Sequence, residues 1–188
     1  MWLRTRGFAK VIVGAVGVVL SACGAPAPTG SSQTGLTVEA CSNDDVQAAL
    51  GEWEGAGGQI VGFVVLAAGT DRPCALAGTP EVRFIDASGR VIAEAAERAA
   101  AGGDPLIELA PGSGSPEPAG PRRGQGSFIF VLGNVCEPVA DAQGRVEVRL
   151  AGESEALVFE AEIPTPGCTA RGEPSFLGVQ PFASPAPD

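Results

Sequence analysis

The sequence predicts an all-β fold, an antiparallel sandwich stapled by disulfides. Three observations carry this. Short runs rich in Val, Ile and Phe recur through the chain, separated by clusters of Gly, Pro, Asp and Ser. Cys41, Cys74, Cys136 and Cys168 form an even set. Only one short stretch after residue 40 reads as a helix, which leaves a core to be built from strands. Seven or eight strands with turn signals between them, within residues 41–182, suit an immunoglobulin-like sandwich of roughly 100 residues or more.

Taken in order, Ser42-Asn43-Asp44-Asp45-Val46 offers an N-cap followed by acids, and Val46, Ala49 and Leu50 fall on one helical face. These predict a short N-terminal helix ended by Gly51. Gln59 to Leu66 is a β-branched and aromatic run. Glu81-Val82-Arg83-Phe84 alternates, with Val82 and Phe84 inward. Asp86-Ala87-Ser88-Gly89-Arg90 then turns the chain into Val91-Ile92-Ala93. The Ala-rich stretch 93–101 reads as a mobile insertion with at most a helical turn. Leu106 to Leu109 is a short strand, and 111–126, dense in Gly, Pro and Ser, is a long exposed loop that presents Arg122-Arg123 as a solvated tip. Ser127 to Leu132 is apolar throughout, as a central strand should be. Val146–Leu150 and Leu157–Ile163 alternate with period two and pair through residues 151–155. Phe176 to Val179 closes the domain, and 183–188 reads as a frayed tail.

The first residues carry an address. Arg4, Arg6 and Lys10 precede an apolar run, Val11 to Leu20, in the pattern of a secretory signal. Ten residues rise about 15 Å as a helix, half of what a bilayer core requires. Leu20-Ser21-Ala22-Cys23 resembles a bacterial lipobox, so Cys23 is expected to take a diacylglycerol and to become the first residue after cleavage. Residues 1–22 are then a lipoprotein signal peptide. Residues 23–40 are the lipidated cysteine and a flexible tether, with a reach on the order of 20–25 Å. Assigning Cys23 to lipid leaves the other four cysteines for disulfides, which persist in an exported protein. Three pairings are possible. Cys41–Cys74 with Cys136–Cys168 joins sequence-local halves and is preferred.

Charge and missing residue types exclude functions more firmly than they select them. Residues 1–22 hold three of the twelve basic residues and none of the 22 acids, so the remainder carries nine against 22, a net −13. Nucleic acid and anionic headgroups repel such a surface. The chain has no His and no Tyr, and no Lys beyond Lys10. That removes the usual general bases, Ser-His and Ser-Lys dyads, and most zinc sites, so no metal, cofactor or catalytic residue is expected. Paired carboxylates remain, Glu52 with Glu54 and Glu160 with Glu162. The second pair is spaced i, i+2 and shares one strand face, with Phe159, Ala161 and Ile163 on the other. This is the pattern of a solvated face, and two carboxylates about 7 Å apart are no Ca²⁺ cage. Trp53 reads as a core or rim plug.

Several of these segments resemble one family. They are Leu50-Gly51-Glu52-Trp53-Glu54-Gly55-Ala56-Gly57-Gly58 after Cys41, then Arg72-Pro73-Cys74-Ala75-Leu76-Ala77-Gly78-Thr79-Pro80, then Asp86-Ala87-Ser88-Gly89. Gly133-Asn134-Val135-Cys136, Pro166-Gly167-Cys168 and Leu177-Gly178-Val179 continue the likeness. Together they resemble domain of unknown function four-two-three-two, a family of small exported domains and lipoproteins of high-GC Gram-positive bacteria, over roughly residues 41–182. This chain departs from it at Ala68-Gly69-Thr70, where members often carry Asn, and in a longer 113–125 segment. The resemblance implies a two-disulfide β-sandwich and brings no agreed activity or catalytic residues.

The expectation is therefore a monomeric, non-catalytic lipoprotein on the extracytoplasmic face of the cell membrane. It would be anchored through Cys23 and would present loops 67–80 and 111–126 to an envelope protein or wall partner. The alternative is an envelope carrier of a small or hydrophobic ligand. A carboxylate-based hydrolase working through the Glu pairs ranks below both.

Overall fold

The computed structural model describes residues 38–101, 104–137, 143–164 and 166–185. The signal and most of the tether expected at 1–40, and the lipidation site Cys23, lie outside these residues. So do 186–188.

Eleven strands form the described domain. A five-stranded antiparallel sheet holds β1 (Val46–Leu50), β2 (Glu54–Ala56), β3 (Gln59–Ala68), β8 (Gly126–Gly133) and β11 (Phe176–Val179). A four-stranded antiparallel sheet holds β5 (Glu81–Asp86), β6 (Val91–Ala95), β9 (Gln143–Arg149) and β10 (Leu157–Glu162), in the order β10-β9-β5-β6. A two-stranded piece pairs β4 (Cys74–Leu76) with β7 (Ile107–Leu109). The two larger sheets enclose one core. Leu66, Phe128, Phe130 and Leu132 come from one sheet and Val82, Phe84, Val146 and Val148 from the other, while β4 and β7 add Leu76, Ile107 and Leu109. Alternation decides the sides, since residues two apart share a face. The expected inward pair Val82 and Phe84 is fully buried.

The predicted N-terminal helix is corrected. Only Asn43–Asp45 is helical, as a single 3₁₀ turn, and the chain is extended from Val46 onward. Asp45 closes that turn by accepting hydrogen bonds from the Ser42 hydroxyl and backbone N–H, at 2.6 and 3.1 Å. The hydroxyl bond is the main reason its carboxyl sits below the usual range. A helix of under ten residues does not repay its own nucleation, whereas residues 46–50 gain a full ladder against β3, from Val46↔Ala68 to Leu50↔Val64. The device that brings them there is local. Gly57 and Gly58 have φ of +61° and +80°, the two positive values a tight two-residue hairpin needs, and they fold β2 back on β3 with Ala56 opposite Gln59. Residues 46–56 thus run as one interrupted edge strand along β3.

Three further expectations change. The run 127–132 is central, between β3 and β11, but it is buried on one face only, and Ile129 is 40% exposed. Segment 67–80 is mostly not an exposed loop. It contains β4, and Ala67, Cys74, Ala75, Leu76 and Thr79 are all buried, which leaves little beyond Gly69–Pro73 at the surface. Segment 111–126 has no strand before Gly126, where β8 begins, but is organised by Gln125, itself 1% exposed. The Gln125 amide donates to the carbonyls of Ser113, Gly114 and Ser115 and accepts from the Arg122 N–H. Arg122 is also paired with Glu117, at 2.5 Å.

Order also extends past the expected domain ends. Ala75 N–H donates to the Glu39 carbonyl and Cys41 N–H to that of Ala75, so the chain is already paired within the predicted tether. At the other end Ala183 and Ser127 exchange backbone hydrogen bonds. In the Ala-rich stretch, Arg98 exchanges backbone hydrogen bonds with Thr79 in place of the expected mobile insertion.

Candidate functional site

Both disulfides have the preferred connectivity, Cys41–Cys74 and Cys136–Cys168, with sequence separations of 33 and 32. The first ties the segment before β1 to β4. The second ties the exit of β8 to the segment between β10 and β11. Next to it stands Asn134, 4% exposed and at φ +54°, the one described non-glycine residue in the left-handed region. Its side-chain NH₂ lies 3.0–3.2 Å from the carbonyls of Ala170, Glu173 and Pro174, and its carbonyl accepts from the N–H groups of Thr169 and Ala170. One side chain thus shapes the loop that follows Cys168.

This loop and its neighbours border the concave part of the surface. β1 edges the five-stranded sheet, β10 edges the four-stranded one, and the two edges come together. Trp53 sits in the break between β1 and β2 and plugs the mouth between the sheets. Its ring meets Phe84 and Phe130 edge-on, with centroids at 5.6 and 5.3 Å, while Phe84 and Phe130 lie 5.3 Å apart. Phe130 in turn lies against Gly62, its cross-strand partner, where a Cβ would strike the ring. The three rings form a continuous aromatic wedge from the core to the surface.

Two solvent-open grooves flank Trp53 and share it and Pro164. One, of about 530 Å³, is bounded by Leu50, Glu52, Pro118, Glu160, Ala161 and Glu162. The other, of about 340 Å³, is bounded by Gly55, Gly57, Gly58, Gln59, Ile60, Pro166 and Gly167. The structure therefore gathers Glu52, Trp53, Glu160 and Glu162, which lie in two sequence regions over a hundred positions apart. Glu54, on β2 opposite Val61 of β3, lines neither groove. The wall residues Leu50, Pro118 and Ala161 carry no signal in the sequence that marks them as groove residues.

The charge around the grooves is uneven. On the four-stranded sheet Arg83 reaches Glu94 and Glu147 at 3.7 and 3.6 Å, Arg145 reaches Glu147 at 2.8 Å, and Arg149 holds Glu81. Arg90 joins Asp86 to Glu137. Asp86 is 1% exposed and accepts from the Ser88 hydroxyl, from the N–H groups of Ser88 and Arg90, and from Arg90 Nε; these bonds, the Ser88 hydroxyl first, hold its carboxyl down to about 2. Among the described residues no arginine comes within ion-pair distance of Glu52, Glu160 or Glu162, although Arg145, held by Glu147, stands directly across from Glu160 on β9. Among the described residues no group of Cys, Asp and Glu could hold a metal ion, and no helix is long and apolar enough to cross a membrane.

Residues 41–115 match the family model of a domain of unknown function (DUF4232). The match begins at the first framework cysteine and runs through β7, and it takes in Trp53 and the glycine hairpin. It covers the first half of the span over which the sequence resembles that family. β8 to β11, the second disulfide and the Glu160–Glu162 side of the groove lie beyond it. No curated protein and no solved structure matches the chain.

Proposed function

We propose that this chain is a cell-envelope lipoprotein, anchored through Cys23 on the extracytoplasmic face of the membrane, whose β-sandwich is a non-catalytic binding domain. The observation that carries the reading is the solvent-open groove system around Trp53. It is concave and partly apolar, and its walls are strand edges of a scaffold tied by two disulfides, so a partner meets a surface that costs little to order. The core beneath it is filled by Phe84, Phe128 and Phe130, all at most 1% exposed, which favours a surface contact over an enclosed carrier cavity. The lipobox at Leu20–Cys23 and the basic, then apolar, leader support the anchor.

Two measurements test it. Intact mass of the protein from a membrane fraction should place a diacylglyceryl cysteine at position 23 as the first residue; a chain beginning beyond Cys23 without lipid removes the anchor. A photo-crosslinking residue at Glu162 should give a discrete adduct in intact cells that the same residue at Glu108, on β7, does not give. Equal or absent adducts at both positions would reject the groove as the contact surface.

A further inference from the structure

The groove around Trp53 also constrains what it binds; this inference rests on the binding-domain reading. Its larger half is lined by the apolar residues Trp53, Leu50, Ala161 and Pro164 together with three carboxylates, Glu52, Glu160 and Glu162. These glutamates are exposed and make no described ion pair; Arg145 stands across from Glu160 on β9, but its Nε is held by Glu147. The chain has a net charge of −10, so its long-range field attracts cations to this mouth. A tryptophan beside exposed carboxylates is the environment in which an arginine or lysine side chain gains both stacking and charge pairing.

The shape speaks for a chain segment over a small cation. Pockets for small molecules enclose most of their ligand, while both grooves here lie open to solvent and continue past Trp53 and Pro164. The second half is lined by Gly55, Gly57 and Gly167, where missing side chains leave room for another backbone, while Thr169 fills the space beside Gly58. Glu160 and Glu162 belong to β10, an edge strand, and an extended segment laid beside an edge strand finds backbone groups to pair with.

We infer that the Trp53 groove seats an extended, arginine- or lysine-bearing segment of another envelope protein, its basic side chain held at Glu52, Glu160 and Glu162 and its neighbouring residues on the glycine-lined side.

The test uses the full chain carrying Trp2→Phe, which leaves Trp53 as its only tryptophan. A short Gly/Ser peptide with two arginines is titrated while Trp53 emission is followed, against the same peptide with glutamines. The expected result is a saturable emission change with the arginine peptide alone. Glu52→Gln/Glu160→Gln/Glu162→Gln should weaken it by about tenfold, as three screened carboxylates would. Glu97→Gln/Glu108→Gln/Glu173→Gln, which removes equal charge from exposed positions outside the grooves, should leave affinity within about twofold. All six sites are exposed, so unchanged thermal melting confirms that each variant is folded. No emission change, equal response to both peptides, or equal weakening by the two triple variants would each overturn the inference. If crosslinking from Glu162 still gives its adduct in that event, the binding reading survives and only the basic partner is lost.

Discussion

Replacing Asn134 with Ala removes a whole local scaffold. The side chain has two N–H donors and two acceptor lone pairs, so the five short contacts to residues 169–174 amount to at most four full hydrogen bonds at once. At about 1 kcal/mol net for each bond, and with solvent able to reach part of the exposed loop, the loss is about 2–4 kcal/mol. The left-handed backbone, φ +54°, adds about 1 kcal/mol, because Ala lacks the short polar side chain that makes this conformation tolerable for Asn. The sum is about 3–5 kcal/mol, a large fraction of the 5–15 kcal/mol typical of a domain. It corresponds to a fall in Tm of roughly 6–20 °C for a domain of this size.

Denaturant titration with the disulfides intact measures the loss, and hydrogen exchange locates it, since the amides of Thr169 and Ala170 lose their acceptor. Asn134→Gly separates the two terms. It forfeits the same hydrogen bonds but accepts the backbone, so it should be about 1 kcal/mol more stable than the Ala variant. An Ala variant within 1 kcal/mol of the parent, or a Gly variant less stable than Ala, would refute the reasoning.

Three other outcomes are expected. Asp86 has its carboxyl lowered from 3.8 to about 2, so the unfolded chain takes up the proton first; the stability it contributes is complete above about pH 4 and drains as pH falls toward 2. Asp86→Asn should therefore flatten the acid limb of a stability–pH curve, and an unchanged limb would show that the carboxylate is not its source. Gly62→Ala drives a Cβ into the Phe130 ring and through it displaces Trp53; the cost should be about 1–3 kcal/mol with a visible change in Trp53 emission, and no change in either would show that the aromatic wedge is not coupled to the core. Cys136→Ser/Cys168→Ser opens a loop with a sequence separation of 32, worth about 3.7 kcal/mol by chain entropy, and calorimetry should find it clearly less stable than the parent.

The parts of the fold legible in the chain are those that local chemistry controls. The β5–β6 hairpin was legible because Asp86-Ala87-Ser88-Gly89 supplies a turn acceptor and a glycine, found here at φ +85°. The β9–β10 pair was legible because its alternation also places Glu160 and Glu162 outward. The cysteine pairing was legible because the four cysteines fall into two sequence-local pairs. β1 reads as helix because Val46, Ala49 and Leu50 keep a helical spacing over five residues, too short a run to bind; its state is set by β3, and the one local clue is the Gly57-Gly58 turn ahead of that strand. β4 has three residues, too few to show a pattern, and becomes a strand only against β7.

The site, in contrast, comes from long-range packing. The sequence marks Glu52, Trp53, Glu160 and Glu162 as candidates but cannot say that the edges of two sheets bring them to one mouth, since pairing across such a separation is fixed by the packing of the whole core. Nor could it show that Asn134 and Gln125, ordinary polar residues in glycine-rich surroundings, are buried hubs, because burial and partners belong to the fold and not to the residue.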